Sequence, residues 1–155
     1  MADDARDFTF DIDELDQLVI ERMAGVEELE STMTDVQYPE MRKSVIDALE
    51  ALADPDYQRR VWINHEFPQE NFYDDLDVNV SILYDDCVVV PDPRSRIGTV
   101  LVDGPEVDRL IELDRVLGPM IGRLGNVPDA TYLGDSEWPM VVIAARAALA
   151  AMRDA

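Results

Sequence analysis

The segment "YPEMRKSVIDALEALADPDYQRRVWI", residues 38–63, sets Met41, Val45, Leu49 and Leu52 at helical spacing with Ile46 beside them. Pro39 falls in the first turn of that helix, where its missing N–H costs nothing. Asp54-Pro55 predicts a stop and a restart, with Asp54 as cap and Pro55 at the first position of a second helix that turns Tyr57, Val61 and Trp62 inward. The longest stripe runs through Val107, Leu110, Ile111, Leu117 and Ile121, opened by Gly104-Pro105 and broken by Asp114. Gly118-Pro119 predicts a kink there, and Gly125 a C-terminal cap. A last apolar helix is expected in "SEWPMVVIAARAALAAM", residues 136–152, capped by Ser136, with alanines that permit close packing.

Two stretches are less regular. In "NFYDDLDVNVSILYDDCVVVPD", residues 71–92, the alternation of Leu76, Val78, Val80 and Ile82 fits a strand. Phe72, Leu76, Val80 and Leu83, with Tyr73 and Tyr84 beside them, equally make a helical face. The two Tyr-Asp-Asp triplets stand eleven residues apart, close to three helical turns, and the reading leans to a helix capped by Asp74 or Asp75. Beyond it, Val88–Val90 and Ile97–Val102 read as two short strands separated by a proline-rich loop. The fold class predicted is therefore α+β, mainly α-helical with a small irregular β-hairpin.

Charge divides the chain. Residues 1–35 hold twelve acidic side chains against Arg6 and Arg22, around a stripe of Ile12, Leu15, Val19, Val26, Leu29 and Met33. They read as an acidic arm or helix, separable from a compact, mainly helical domain over 36–155. Across all 155 residues, 34 acidic side chains face 13 basic ones, a net charge of −21. That balance repels nucleic-acid phosphates and anionic membranes and favours a basic protein partner. No run approaches the roughly 18–20 apolar residues of a membrane span, and the start lacks a signal-peptide pattern. Cys87 is alone, so no internal disulfide forms, and a reducing, cytoplasmic setting is expected.

The aspartates Asp74, Asp75, Asp77, Asp85 and Asp86 admit three roles. They can cap helices or face solvent, present a negative docking face with Trp62 as an aromatic anchor, or hold Mg²⁺ for catalysis. The glycine and terminal glutamate of a calcium loop are missing. His65-Glu66 begins like a zinc-peptidase motif, but Gln69 stands where the second histidine belongs, and His65 is the sole histidine. A packing role is expected for it, as is a buried, inert thiol for Cys87 beside three valines. The glycines assemble no phosphate loop, and Lys43 is the sole lysine. Arg94 and Arg96 are read as internal ion-pair partners. No catalytic residue, cofactor or metal ligand is assigned.

Together, "YPEMRKSVIDALEALADPDYQRRVW", "SILYDDCVVVPDPRSRIGTVL" and "SEWPMVVIAARAALAAM" resemble a family of small acidic actinobacterial proteins of unassigned function. The Tyr84-Asp85-Asp86 triplet, Ile97-Gly98-Thr99-Val100 and Trp138 carry the resemblance, which spans residues 37–152 and leaves the acidic start uncovered. More distantly, the arrangement resembles toxin-immunity proteins, which implies a non-enzymatic protein that binds and inhibits a basic toxin. The alternatives are an acidic subunit or regulator of a larger assembly, and a metal-dependent hydrolase using the aspartate cluster.

Overall fold

A computed structural model describes residues 36–155; the acidic segment 1–35 and its apolar stripe lie outside the described residues. Helix α1 (Pro39–Leu52) begins at the proline expected in its first turn and buries Val45, Ala48, Leu49 and Leu52. Asp54 caps α2 (Pro55–Tyr57) by accepting the Tyr57 N–H at 3.2 Å, and the chain continues as a π-helical turn over Gln58–Ile63. Helix α3 (Leu76–Ser81) is capped by Asp75, which accepts the Val78 N–H at 2.9 Å, and it too widens into a π turn over Ile82–Asp86. The ambiguous stretch is thus helical. A short 3-10 helix over Pro93–Arg96 leads to α4 (Pro105–Leu124), α5 (Asp129–Leu133) and α6 (Trp138–Asp154).

The core lies where α4 packs on α6. Leu110, Leu113, Leu117 and Met120 meet a face of Trp138, Val141, Ala145, Ala148 and Met152, and the small alanines let the two helices approach closely. Helix α4 runs unbroken through Pro119 and ends at Gly125, whose φ of 66° fits the left-handed region and whose N–H reaches the Ile121 carbonyl at 2.8 Å. Trp62 and Trp138 meet edge to face with ring centroids 6.4 Å apart. Between them and α1, the buried Gln58 amide donates to the Ala51 and Leu52 carbonyls at 2.8 and 2.9 Å and accepts the Trp138 indole N–H at 3.0 Å. The end of α1, which leaves carbonyls unpaired, is thereby closed from inside.

The expected hairpin does not form. Among the described residues there is no β-strand, and the single backbone bridge pairs Ile97 with Leu101. Val89, Val90, Val100 and Leu101 are fully buried, which is what the apolar runs signalled, but they enter the core as loops. Their backbone groups find other partners. The Leu83 carbonyl accepts the Val89 and Val90 N–H groups, and the Arg96 carbonyl accepts those of Val100 and Leu101. With Pro91 and Pro93 unable to donate, no ladder can extend between the runs. The fold class over 36–155 is accordingly all-α rather than α+β.

Smaller departures follow the same logic. Ser136 does not cap α6; Asp135 accepts the Glu137 N–H at 3.0 Å instead, and the helix starts at Trp138. Both π turns end in a non-glycine residue of positive φ, His65 at 57° and Val88 at 50°. The widened turns are closed by Asn64 N–H to Arg59 carbonyl at 3.0 Å and Cys87 N–H to Ile82 carbonyl at 2.9 Å.

Candidate functional site

The five aspartates of the 74–86 region separate into different environments. Asp74 is interior. Its carboxylate accepts the Tyr57 hydroxyl at 2.8 Å, the Trp62 indole N–H at 2.9 Å and the Asn79 amide at 2.9 Å. Trp62 is 2 % exposed: it faces inward as its place in the second helix predicts, packs in the core and holds Asp74. Asp75 caps α3 and accepts the Tyr73 hydroxyl, while Asp77 faces solvent in the first turn. Asp85 and Asp86 are exposed at the opposite end of the same helical segment. Its eleven residues correspond to about 16 Å of rise, so the triplets do not converge. No group of three or more metal-ligating side chains gathers among the described residues.

Beside the Asp74 cage opens a cleft of about 730 Å³. Ala51, Ala53, Phe72, Ile82 and Leu149 supply its apolar lining, Asp47, Glu50 and Asp54 add exposed carboxylates, and Tyr57 and Asp74 reach it from the cage. Two arginines border the same space. Arg146 donates from Nε to the Ala53 carbonyl at 2.9 Å, extending the closure of α1, and Arg153 pairs with Glu50. Asp47 pairs with Lys43 at 3.1 Å, one turn away along α1. Burial first, and then the Asp74 carboxylate, hold the Tyr57 hydroxyl protonated well above its ordinary range. Asp129 accepts the Leu76 N–H at 3.1 Å, yet burial, reinforced by Asp75, Asp77 and Asp74, raises its carboxyl above the usual value.

Other residues singled out by the sequence fall into structural roles. His65 is exposed and stacks on Phe67 with centroids 5.7 Å apart. Cys87 is buried, its thiol 3.5 Å from the Met41 carbonyl and pushed up in pKa chiefly by burial. Arg94 pairs with Asp108 at 3.4 Å, whereas Arg96 makes no ion pair among the described residues.

Arg42 and Glu106 were not anticipated. Each is 1 % exposed, and they form a two-pronged ion pair at 2.7 and 2.8 Å. Arg42 also donates to the Val100 and Met152 carbonyls, both at 3.2 Å, and Glu106 accepts the Val102 N–H at 2.9 Å. The signal was available: Arg42 continues the stripe of Val45, Leu49 and Leu52, and Glu106 that of Leu110, Leu113 and Leu117. Opposite charges on two apolar stripes imply a buried pair.

These features define an all-helical domain over residues 36–155, with structural carboxylates inside and a carboxylate-edged cleft outside. The model of the domain of unknown function DUF7945 matches residues 36–155, and the chain belongs to that family. No curated protein and no solved structure matches the chain. No helix among the described residues is long and apolar enough to cross a membrane.

Proposed function

We propose that this protein is a non-catalytic binding protein that receives a cationic segment of a basic protein partner in the α1–α3–α6 cleft and blocks that partner's working surface. The cleft's combination of an apolar lining with the exposed carboxylates of Asp47, Glu50 and Asp54 carries the reading. A lysine or arginine lays its aliphatic stem on apolar surface while its head meets a carboxylate. The net charge of −21 speeds encounter with such a partner. Exposed pairs such as Lys43–Asp47 contribute about 0–1 kcal/mol, so exchanging them for a partner's cation is inexpensive. In the immunity version of this reading, the partner is a toxin whose positive groove is occupied by these carboxylates in place of its substrate's phosphates. The aspartates at 74–86 lend the hydrolase alternative no gathered ligand set.

The test uses a fluorescent peptide of alternating arginine and leucine as probe, followed by anisotropy. A triple variant Asp47→Asn, Glu50→Gln, Asp54→Asn is compared with Asp85→Asn, Asp86→Asn, Asp103→Asn, which removes the same charge elsewhere. The cleft variant should weaken binding about tenfold or more, as three contacts of roughly 0.5 kcal/mol each imply. Equal losses in the two variants would mean diffuse charge attraction, and the cleft would not be the site.

A further inference from the structure

Arg146 lines the α1–α3–α6 cleft with a charge opposite to that of its carboxylates. Its Nε donates to the Ala53 carbonyl at 2.9 Å, and the carboxylate of the next residue, Asp54, accepts the Tyr57 N–H at 3.2 Å. Each charge is tied to backbone, and the two border one space without pairing. The chain has 34 acidic side chains for 13 basic ones, yet Arg146 has no carboxylate partner among the described residues. Arg153, the second arginine of the cleft, is paired with Glu50. A guanidinium held at a cleft edge in this way is an open seat for a carboxylate. We infer, resting on the reading of the cleft as the seat of a cationic segment, that this segment is a chain end whose free C-terminal carboxylate sits on Arg146.

The occupant follows from the mixture of charges. A segment that suits Asp47, Glu50 and Asp54 is basic, and the one carboxylate that a wholly basic and apolar segment brings is at its own C-terminus. An internal stretch of the same composition would set its cations against Arg146, a like-charge contact. The contacts of Arg146 with Ala53 and of Arg153 with Glu50 place Arg146 at the Asp54 end of the cleft. A terminal basic residue can there lay its carboxylate on Arg146 and its side-chain cation on Asp54. The apolar residue before it then meets Phe72, Ile82 and Leu149, and the preceding cation reaches Glu50 and Asp47. Arg146 and Arg153 stand seven residues, about 10 Å, apart on α6, the length of about three extended residues. Capture of a terminal carboxylate by fixed donors is an established mode of peptide recognition.

The test compares two N-terminally labelled arginine–leucine peptides, identical except for a free C-terminal acid or a carboxamide, by anisotropy on the full chain. Charge alone favours the carboxamide, which is the more positive of the two, against a protein of net charge −21. The reverse is expected, with the acid about fivefold tighter or more. Arg146→Gln should erase that preference with an unchanged circular dichroism spectrum, whereas Arg115→Gln, which removes the same charge from α4, should keep it. Should Arg146→Gln fail to fold, the wild-type comparison decides alone. A carboxamide that binds as tightly as the acid overturns the inference; if the Asp47→Asn, Glu50→Gln, Asp54→Asn variant still weakens both peptides, the cleft reading stands without it. Binding that this variant weakens no more than its charge-matched counterpart removes the cleft reading and the chain end together. Free arginine at about 1 mM should leave the peptide bound; displacement would assign the cleft to a free amino acid and overturn the chain end.

Discussion

Replacing Asp74 tests whether the first carboxylate of the Tyr73-Asp74-Asp75 triplet belongs to the architecture. Asp74→Ala removes the acceptor for three donors. The Tyr57 hydroxyl borders the cleft and can turn to water, but the Trp62 indole N–H and the Asn79 amide are buried. Each buried donor left unpaired costs about 1–3 kcal/mol, and the lost bonds had an ionised acceptor, so a total of about 3–5 kcal/mol is expected. Asp74→Asn should cost less. Its oxygen can keep Tyr57 and Trp62, which share Oδ2 in the wild type, while its NH₂ confronts the Asn79 NH₂. Asn79 can flip, giving up its 2.8 Å bond to the Asp75 carbonyl, so one hydrogen bond is lost, about 1–2 kcal/mol. Tyr57→Phe should cost about 1 kcal/mol. Urea unfolding followed by tryptophan fluorescence reads all three, with equal m-values as the condition for comparing them. A loss below about 1 kcal/mol for Asp74→Ala would refute the cage as a structural element, and so would equal losses for alanine and asparagine.

Glu106→Gln leaves the Arg42 charge buried against a neutral amide and should destabilise by about 3–5 kcal/mol in urea. Arg42→Met with Glu106→Met should then be less destabilised than the sum of the single changes by at least about 2 kcal/mol; simple additivity would deny the pairing. Val88 is β-branched at a φ of 50°, a strain of about 1–2 kcal/mol that glycine removes while adding about 0.5–1 kcal/mol of unfolded-state entropy. Val88→Gly should therefore raise stability by about 0.5–1 kcal/mol, and a loss in thermal unfolding would contradict the strain. The Arg123 guanidinium holds the Asp135 carboxyl below its usual range, helped by the Glu137 N–H. A lowered native pKa means stability present above the unfolded value of about 3.9 and lost as pH falls below it. The stability gap between wild type and Asp135→Asn should accordingly be open at pH 7 and narrow progressively below pH 4; a gap constant with pH would refute the assignment.

Helix placement was legible wherever a stripe coincided with a stop or start residue. Pro39, Asp54-Pro55, Gly104-Pro105 and Gly125 all mark ends found in the structure. The β element was misread because Val88–Val90 and Ile97–Val102 are short apolar runs, and burial alone produces such runs in strands and in core loops alike. Polar roles depended on tertiary contact. Nothing local distinguishes Asp74, with three interior donors, from Asp77, which faces water. The cleft unites α1, α3 and α6, so Asp47, Glu50 and Asp54 become neighbours of Phe72 and Leu149 only once the chain is folded. Arg42 and Glu106 stand on apolar stripes and are readable as a pair from that placement alone, because opposite charges on two buried faces must meet.

The buried ion pair also sets when this domain can finish folding. Arg42 reaches Glu106, 64 residues on, and the Met152 carbonyl, 110 residues on. At about 5–20 residues per second, a ribosome needs roughly 5–20 s to travel from Arg42 to Met152. Until it does, the guanidinium has no complete set of acceptors and α4 lacks the helix it packs against. The nascent helices α1 to α5 therefore cannot close their core until α6 has been made, and folding of the domain waits on its last helix.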